Sequence, residues 1–202
     1  MDLTVVTATI PERAGLLTQA VRSVTDQALF RPAEHRIVYD DARLGPARVR
    51  NAATATVATE WVAWLDDDDL WLEHHLATIA PHLREDVDVV YTLAVIEGRD
   101  GWDPQQDTFD PDRLRQLNYI PLCGVVARAA LVNSVGGFDP EATYEDHALW
   151  VRLLDAGARW RCVPSRTWVY RFGAWDSRSK EVWDGRRGVG RRAVQRRSVP
   201  RP

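Results

Sequence analysis

The chain alternates short β-branched or aromatic runs with longer segments in which apolar residues recur at helical spacing. Short apolar runs favour strands, and i, i+3, i+4 spacing favours amphipathic helices. The predicted strands are residues 3–8, 36–39, 61–65, 87–96 and 123–127, with late candidates at 160–163 and 168–172. The predicted helices are residues 12–28, 46–59, 71–83, 111–117, 129–135 and 144–156. This alternation predicts an α/β domain with a mainly parallel central sheet and helices on both faces.

Two segments depart from that pattern. Residues 98–109 are rich in Asp, Gln, Gly and Pro, which predicts a long loop of the kind that often carries binding residues. Residues 178–202 hold nine basic and two acidic residues and few apolar ones. We therefore expect a catalytic or binding domain over residues 1–177 and a basic, flexible C-terminal arm over residues 178–202.

The composition is that of a soluble globular protein, with 202 residues, 45% hydrophobic and 27% charged. No stretch approaches the roughly 18 consecutive apolar residues of a membrane span, and the N-terminus lacks a positively charged leader region. The two cysteines, Cys123 and Cys162, are far apart and are expected to be reduced thiols. These features predict a cytoplasmic protein without a transmembrane segment.

Four consecutive acids, Asp66, Asp67, Asp68 and Asp69, follow the predicted buried strand at residues 61–65. Adjacent carboxylates disfavour each other's ionisation, and a hard cation such as Mg²⁺ or Mn²⁺ among their oxygens offsets that cost. The carboxyl end of a strand in an open α/β sheet is also where ligands bind. The run therefore predicts a divalent metal site, the alternative being a solvated acidic turn.

An ordered set of motifs resembles family-two, inverting glycosyltransferases with the GT-A fold. The segments are residues 7–13 (TATIPER), 38–41 (VYDD), 47–52 (ARVRNA), 64–69 (WLDDDD), 135–139 (VGGFD) and 145–152 (EDHALWVR). The resemblance covers roughly residues 3–172. It implies a single GT-A, Rossmann-like domain that uses Mn²⁺ or Mg²⁺ and a nucleotide-sugar donor, with a UDP-sugar favoured.

The same resemblance assigns roles to the acidic run. Asp66 and Asp68 form the D-x-D pair that binds the metal and diphosphate, with Asp68 in direct metal contact. Asp66 then faces the ribose or the water molecules of the metal. Asp67 and Asp69 are the alternative pair.

Nucleotide-binding residues are expected at the ends of the first two strands. An acid after the second strand contacts the base or ribose in similar enzymes, which points to Asp41 or else Asp40; a turn-forming role is the alternative. Free backbone N–H groups and a guanidinium at the end of the first strand add Thr7, Ala8, Thr9 and Arg13.

Arg50 resembles the arginine of the family's Arg-Asn pair. It is expected either to reach phosphate and order the aspartate turn, or to form a structural ion pair with the acidic run.

Glu145 and Asp146 supply the candidate catalytic base. Inverting transfer needs a carboxylate that takes the proton of the acceptor hydroxyl, and the resemblance assigns this to Asp146. The alternative is a first-turn acid that complements the helix dipole. Gly136 and Gly137 are expected to form a turn that admits the sugar, with Trp102 and Trp175 as candidate sugar-stacking residues.

Some positions depart from the family pattern. The stretch between Asp41 and Arg50 is short, which trims the nucleotide pocket. Many relatives carry a histidine after the late Tyr-Arg strand, and this chain does not, so Asp176 is a candidate substitute ligand. His74 and His75 follow the acidic run, but their helical position favours packing over metal binding.

The sequence thus predicts metal-dependent, inverting transfer of a hexose from a nucleotide sugar. One alternative is a nucleotide- or glycan-binding module without turnover. Another is a metal-dependent phosphohydrolase, against which the position of the single lysine, Lys180, in the basic arm counts. The acceptor is a glycan, a protein or a modified nucleic acid, and the basic arm is expected either to contact an anionic partner or to serve as a solubilising tail.

Overall fold

The computed structural model describes residues 1–101 and 103–173, in which seven strands form one sheet. The strands are β1 (Leu3–Thr9), β2 (Glu34–Tyr39), β3 (Trp61–Trp64), β4 (Leu70–Trp71), β5 (Val89–Glu97), β6 (Val125–Arg128) and β7 (Trp160–Arg171). The α-helices are α1 (Ala14–Thr25), α2 (Pro46–Thr54), α3 (His75–Ile79), α4 (Pro111–Gln116), α5 (Ala129–Ser134) and α6 (Glu145–Asp155). Short 3-10 helices lie at Pro11–Arg13, Ala80–His82 and Leu122–Gly124.

The sheet is mixed, with strand order β2-β1-β3-β6-β5-β7-β4. β1 pairs in parallel with β2 and β3, and β5 pairs in parallel with β7. β6 runs antiparallel to both β3 and β5, and β4 runs antiparallel to β7. The predicted parallel pairing therefore holds for the N-terminal strands, whereas β6 enters the sheet in the opposite direction.

Helices cover both faces of the sheet, as predicted. One core lies under α2, α5 and α6 and includes the fully buried Trp64 and Trp150. The other lies under α1 and α3 and includes Trp71, Leu76 and Ile79. β3 contributes to both cores, because its four residues alternate between the faces and all are buried.

Two predicted elements need correction. The helix predicted over residues 71–83 is wrong in its first turn, because Leu70 and Trp71 pair with Val169 and Trp168 as a short strand. The late candidates 160–163 and 168–172 are one continuous strand, β7, with register shifts opposite Leu93. Both errors arise because pairing with a strand far away in the sequence decides the local structure.

His75 packs, in agreement with the interpretation of the sequence. Its Nδ1 lies 2.7 Å from the hydroxyl of Thr167, and its ring stacks on Trp71 with centroids 4.2 Å apart. Burial lowers the pKa of His75 to about 3, so the ring is neutral. His74 is exposed at the start of α3.

Among residues 1–101 and 103–173, no helix has the length and apolar character that crossing a membrane requires.

Candidate functional site

The acidic run forms a tight turn directly after β3. The N–H of Asp69 donates to the carbonyl of Asp66 at 3.2 Å, which closes the turn. The side chains of Asp66 and Asp68 are 33% and 16% exposed, whereas Asp67 and Asp69 are each 2% exposed. The turn therefore presents Asp66 and Asp68 outward and holds Asp67 and Asp69 within the protein.

Asp67 is tied to the end of β1. It accepts hydrogen bonds from Thr9 Oγ1 at 2.5 Å and from Arg13 Nη1 at 2.7 Å. The same Arg13 nitrogen lies 3.6 Å from a carboxylate oxygen of Asp68. Thr9 and Arg13, which the sequence suggests as nucleotide ligands, thus hold the acidic turn in place.

Cys123 and Arg171 hold the turn from the other side. Cys123 Sγ accepts from the N–H of Asp66 and donates to Asp69, both at 3.2 Å. The backbone N–H of Arg171 donates to Asp69 at 2.9 Å, and its Nε donates to the carbonyl of Asp68 at 2.5 Å. The 3-10 turn before β6 and the end of β7 therefore fix the shape of the acidic turn.

Arg50 links the acidic turn to α6. Its guanidinium is 8% exposed and donates to Asp66 at 2.5 Å and to Glu145 at 2.9 Å. The ring of Phe138 lies beneath it, 5.6 Å from the guanidinium carbon. Of the two expectations for Arg50, the structure shows the ion pair with the acidic run, and the same contact orders the turn.

Asp146 lies in the first turn of α6, next to Glu145. Asn118 Nδ2 lies 3.0 Å from each of its two carboxylate oxygens, and the N–H of His147 donates to Oδ1 at 2.8 Å. Burial raises the pKa of Asp146, and the hydrogen bond from Asn118 opposes that rise. Asp146 is thus a partly buried carboxyl whose basicity is above that of an ordinary aspartate.

The acidic turn and Asp146 line one cavity of about 810 Å³. A sugar nucleotide requires a cleft of this size class. The lining includes Ala8, Thr9, Arg13, Asp40, Arg50, the four acids of residues 66–69, Leu117, Asn118, Tyr144, Glu145, Asp146, Tyr170 and Arg171. The cavity therefore joins both predicted chemical groups, the candidate metal ligands and the candidate base.

The electrostatics of the turn depend on burial and on mutual repulsion. Burial, followed by the charge of Asp66, raises the pKa of Asp68 to about 6. Burial, followed by the charges of Asp68 and Asp66, raises the pKa of Asp69 well above its usual range. For Arg50, burial favours the neutral form, but the charges of Asp66 and Glu145 outweigh it and raise the pKa. The turn therefore disfavours the ionised forms of Asp68 and Asp69.

The outward acids fit a hard divalent cation. Asp66 and Asp68 offer carboxylate oxygens, the ligands that Mg²⁺ and Mn²⁺ prefer. Atoms of Asp66, Asp69 and Cys123 also lie within 4.8 Å of one another. In that second set, however, burial raises the pKa of the Cys123 thiol well above its usual range, and the thiol is hydrogen-bonded to Asp69. We therefore place the candidate metal position on the cavity side of the turn.

At the nucleotide end, the structure separates Asp40 from Asp41. Asp40 lines the cavity, and its two carboxylate oxygens accept from the N–H groups of Leu44 and Gly45, each at 2.7 Å. Asp41 is exposed and does not line the cavity, so the preference for Asp41 is not supported. Each carboxylate oxygen of Asp40 keeps acceptor capacity beyond these loop hydrogen bonds, and a contact of Asp40 with a base or ribose stays a prediction.

Thr7 does not reach the cavity. It is fully buried, and its hydroxyl lies 2.9 Å from His35 Nε2 on β2. Thr9, by contrast, lines the cavity. Side chains alternate along a strand, so residues 7 and 9 share a face of β1, but only Thr9 lies at the strand end.

Gly136 and Gly137 also lie outside the cavity lining. A Cβ on Gly137 would lie 2.3 Å from Asn51 Oδ1, and the φ of Gly137 is +67°. Asn51 holds the next residue, Phe138, by two hydrogen bonds of 2.7 Å. The turn therefore needs glycine for its approach to α2, not for contact with a sugar.

Trp102, Trp175 and Asp176 lie outside the described residues, as does the basic arm at residues 178–202. Their proposed roles stay predictions.

The sequence interpretation missed three residues of the site. Asn118 contacts Asp146, Cys123 contacts Asp66 and Asp69, and Arg171 contacts the acidic turn. No local pattern marks them, since each is far along the chain from its partner. Only Arg171 carried a weak signal, because it lies at the end of the predicted late strand, residues 168–172.

The family described as Glycosyl transferase family 2 matches residues 21–132, more than half of the chain. The chain belongs to glycosyltransferase family 2. The family 2 match includes Asp40, Arg50 and the acidic turn, and it ends before Asp146.

Two curated relatives, both named pre-mycofactocin glycosyltransferase, come from Mycobacterium tuberculosis strains CDC 1551 / Oshkosh and ATCC 25618 / H37Rv. Each is 33% identical over 134 residues, which cover 59% of this chain and 28% of the relative. The chain thus spans well under half of the length of these relatives.

Solved structures show the same fold. The TarS protein of S. aureus in complex with UDP-GlcNAc has a TM-score of 0.72 and 15% identity, covering 98% of this chain and 68% of that one. The mannosyltransferase PcManGT from Pyrobaculum calidifontis, in complex with GDP-Man and Mn²⁺, has a TM-score of 0.68 and 18% identity, covering 98% and 66%. The predicted GT-A fold is confirmed.

Proposed function

We propose that the protein transfers a hexose from a nucleotide sugar to an acceptor hydroxyl with inversion, with a divalent ion at Asp66 and Asp68. The observation that supports this most is the shared cavity: the two outward acids and Asp146 line it together. Arg50 connects the two groups by contacting Asp66 and Glu145. Family membership supports glycosyl transfer as the reaction class.

The donor end of the cavity is the acidic turn. Mn²⁺ or Mg²⁺ bound there would supply Lewis-acid stabilisation of the departing nucleoside diphosphate. Arg13 and Arg171 flank the turn and add positive charge near the same place. Two structural neighbours hold UDP-GlcNAc and GDP-Man, and a UDP-sugar is our default donor.

Asp146 is proposed as the general base. As the acceptor oxygen attacks the anomeric carbon, its O–H bond breaks and the proton moves to the Asp146 carboxylate. The bond between the anomeric carbon and the diphosphate breaks on the opposite face, which inverts the configuration. Glu145 holds Arg50 and so supports the geometry between the base and the acidic turn.

The acceptor stays open to glycan, protein or modified nucleic acid. We propose that residues 1–177 form the catalytic domain and that residues 178–202 form a basic arm. An arm of this charge suits an anionic partner.

The test combines binding with turnover. Thermal shifts of the protein are measured against UDP, GDP and a panel of nucleotide sugars, with and without Mn²⁺. We expect a metal-dependent rise in the melting temperature with one nucleotide, and slow release of free sugar of inverted configuration from the matching donor. Binding without donor turnover would instead support an inactive module, and phosphate release from simple esters would support a phosphohydrolase.

A variant pair sharpens the binding test. Asp68→Ala removes a proposed metal ligand and should abolish the Mn²⁺-dependent shift. Asp107→Ala, at an exposed position outside the cavity lining, should keep it. A wild-type protein that shows no metal-dependent nucleotide shift would overturn the proposed site.

A further inference from the structure

Asn118 makes an unusual contact with Asp146. It lies between α4 and the 3-10 turn before β6, at the cavity wall. Its single amide nitrogen is 3.0 Å from Oδ1 and 3.0 Å from Oδ2 of Asp146. One donor thus spans both oxygens of the carboxylate and fixes its position, while the N–H of His147 on Oδ1 restrains the rotation of the carboxyl plane.

The orientation of the Asn118 amide is set by this contact. Its Oδ1 is buried and has no hydrogen-bond partner within the described part of the chain. Turning the amide over would bring that oxygen against the carboxylate oxygens and replace attraction by repulsion. The side chain therefore leaves one polar atom unsatisfied, which is unfavourable by itself, while its nitrogen stays on Asp146.

The hydrogen bonds distinguish the two carboxylate oxygens. Oδ1 accepts from Asn118 and from the backbone N–H of His147, whereas Oδ2 accepts from Asn118 alone. The imidazole of His147 is turned away, with Nε2 lying 2.5 Å from the carbonyl of Leu114. Oδ2 is thus the oxygen with more unused acceptor capacity.

Charged groups on two elements also act on Asp146. Glu145, on the same helix, disfavours its ionised form, and Arg50, on α2, favours it. Glu145 and Arg50 pair with each other, so their effects partly cancel. Two neutral donors contact the carboxylate directly and favour its ionised form, and the Asn118 amide does so more than the backbone N–H of His147.

We propose that Asn118 is the positioning residue for Asp146, fixing both carboxylate oxygens and leaving Oδ2 to take the proton of the acceptor hydroxyl. The inference rests on the proposed function, because it refines which atom of the base acts. In the transfer step, the acceptor O–H bond breaks and its proton bonds to Oδ2. The acceptor oxygen forms the new glycosidic bond while the bond between the anomeric carbon and the nucleoside diphosphate breaks, and the diphosphate leaves with that electron pair.

A first test needs no substrate. The carboxyl carbon of Asp146 is titrated by ¹³C NMR in the wild type and in Asn118→Leu, and its signal is assigned by its loss in Asp146→Asn. Leucine has the branching and the number of side-chain heavy atoms of asparagine but lacks the donor, so the pKa of Asp146 should rise by about one pH unit or more. Asn133→Leu, at an exposed position on α5, should leave it unchanged. An unchanged pKa in Asn118→Leu would overturn the inference whatever the enzyme's activity.

A second test follows transfer. With the donor found by the binding panel, Asn118→Leu should lower kcat about 10- to 100-fold at pH 7 and move the acidic limb of the pH–rate profile upward. Donor affinity should stay within about twofold, because Asn118 does not touch the acidic turn. Asn118→Ala provides a second variant if the leucine variant does not fold.

The outcomes separate the two proposals. A loss of kcat and donor affinity together, with an unmoved pH profile, would indicate a structural role and contradict the positioning role. Absence of any transfer by the wild type would contradict the proposed function, while the NMR titration still decides whether Asn118 controls the ionisation of Asp146.

Discussion

Arg50 on α2 and Glu145 on α6 form an ion pair of 2.9 Å, one residue before the proposed base. The other guanidinium nitrogen of Arg50 contacts Asp66. One buried cation therefore sets the spacing between the donor end and the acceptor end of the cavity.

Replacing Arg50 should destabilise the protein strongly. Arg50→Ala removes the guanidinium that contacts both Asp66 and Glu145, and breaking a buried pair from one side costs about 3–5 kcal/mol. Arg48→Ala, on the same helix, removes an exposed pair with Glu141 and should cost at most about 1 kcal/mol. Urea unfolding of both variants checks this, and equal midpoints would refute the structural role of Arg50.

Neutralising Asp68 should stabilise the metal-free protein at neutral pH. The folded-state pKa of Asp68 is about 6, against about 3.9 in an unfolded chain, so the folded state binds more protons between these values. Stability therefore falls as the pH rises through this window, and the whole penalty is present above it. Asp68→Asn removes the penalty and should raise stability at pH 7.5 by on the order of 1–3 kcal/mol.

The gain should disappear toward pH 4, where the native carboxyl is already protonated. Thermal melts in EDTA at both pH values, with Asp107→Asn as the exposed control, measure it. A destabilised Asp68→Asn at pH 7.5 would show that its contact with Arg13 outweighs the cost of burial.

Asp146 should control turnover and not donor binding. Asp146→Asn keeps the size of the residue but cannot take a proton, so transfer should fall at least about 10²-fold with nucleotide affinity unchanged. Asp155→Asn, at the exposed end of the same helix, should transfer at the wild-type rate. Near-normal transfer by Asp146→Asn would remove the assignment of the base.

The pH–rate profile offers an independent check on the same residue. Burial raises the pKa of Asp146, and only its ionised form takes a proton. The rate should therefore increase with pH through an apparent pKa above the usual 3.8 of aspartate. A rate that stays constant down to pH 4 would contradict a buried aspartate base.

Alanine substitutions at Gly137 and Gly157, which both have positive φ, distinguish the cost of backbone strain from the cost of a steric clash. Gly137→Ala places a Cβ 2.3 Å from Asn51 Oδ1, whereas a Cβ on Gly157 meets nothing within 4 Å. Both variants strain a left-handed residue by about 1–2 kcal/mol, and only Gly137→Ala also disrupts the Asn51 contact. We expect Gly137→Ala to lose clearly more stability in urea unfolding; equal losses would mean that the turn yields to the added methyl.

The sequence predicts the elements well where local pattern decides them. Residues 3–8 are β-branched or apolar and residues 61–65 are apolar, and this pattern does not depend on which strands they pair with. The strands β1 and β3 therefore lie nearly where the sequence predicts them. The direction of β6 is not predictable in this way, because Val125, Val126 and Ala127 are equally apolar whichever way the strand runs. Leu70 and Trp71 likewise form a strand only because β7 lies beside them.

The site shows the same division. The acids of the turn are consecutive in the sequence, and so are Glu145 and Asp146. The chemistry of each group can therefore be predicted from the sequence alone. Asn118 and Cys123 gain their roles only through contacts 28 and 54 residues along the chain, respectively with Asp146 and Asp69. The alternation of exposed and buried acids within the turn likewise depends on distant partners, which are Thr9 and Arg13 for Asp67 and Cys123 for Asp69.

Arg13, Arg50 and Arg171 all contact the acidic turn through side-chain nitrogens. The protein thus carries its own counter-charges, and the loop keeps its shape before any ion arrives. A chelator should leave the circular dichroism spectrum and the fold intact while it stops turnover. The cation would then bind and dissociate together with the nucleotide in each catalytic cycle, and would not be a permanent structural ion of the protein.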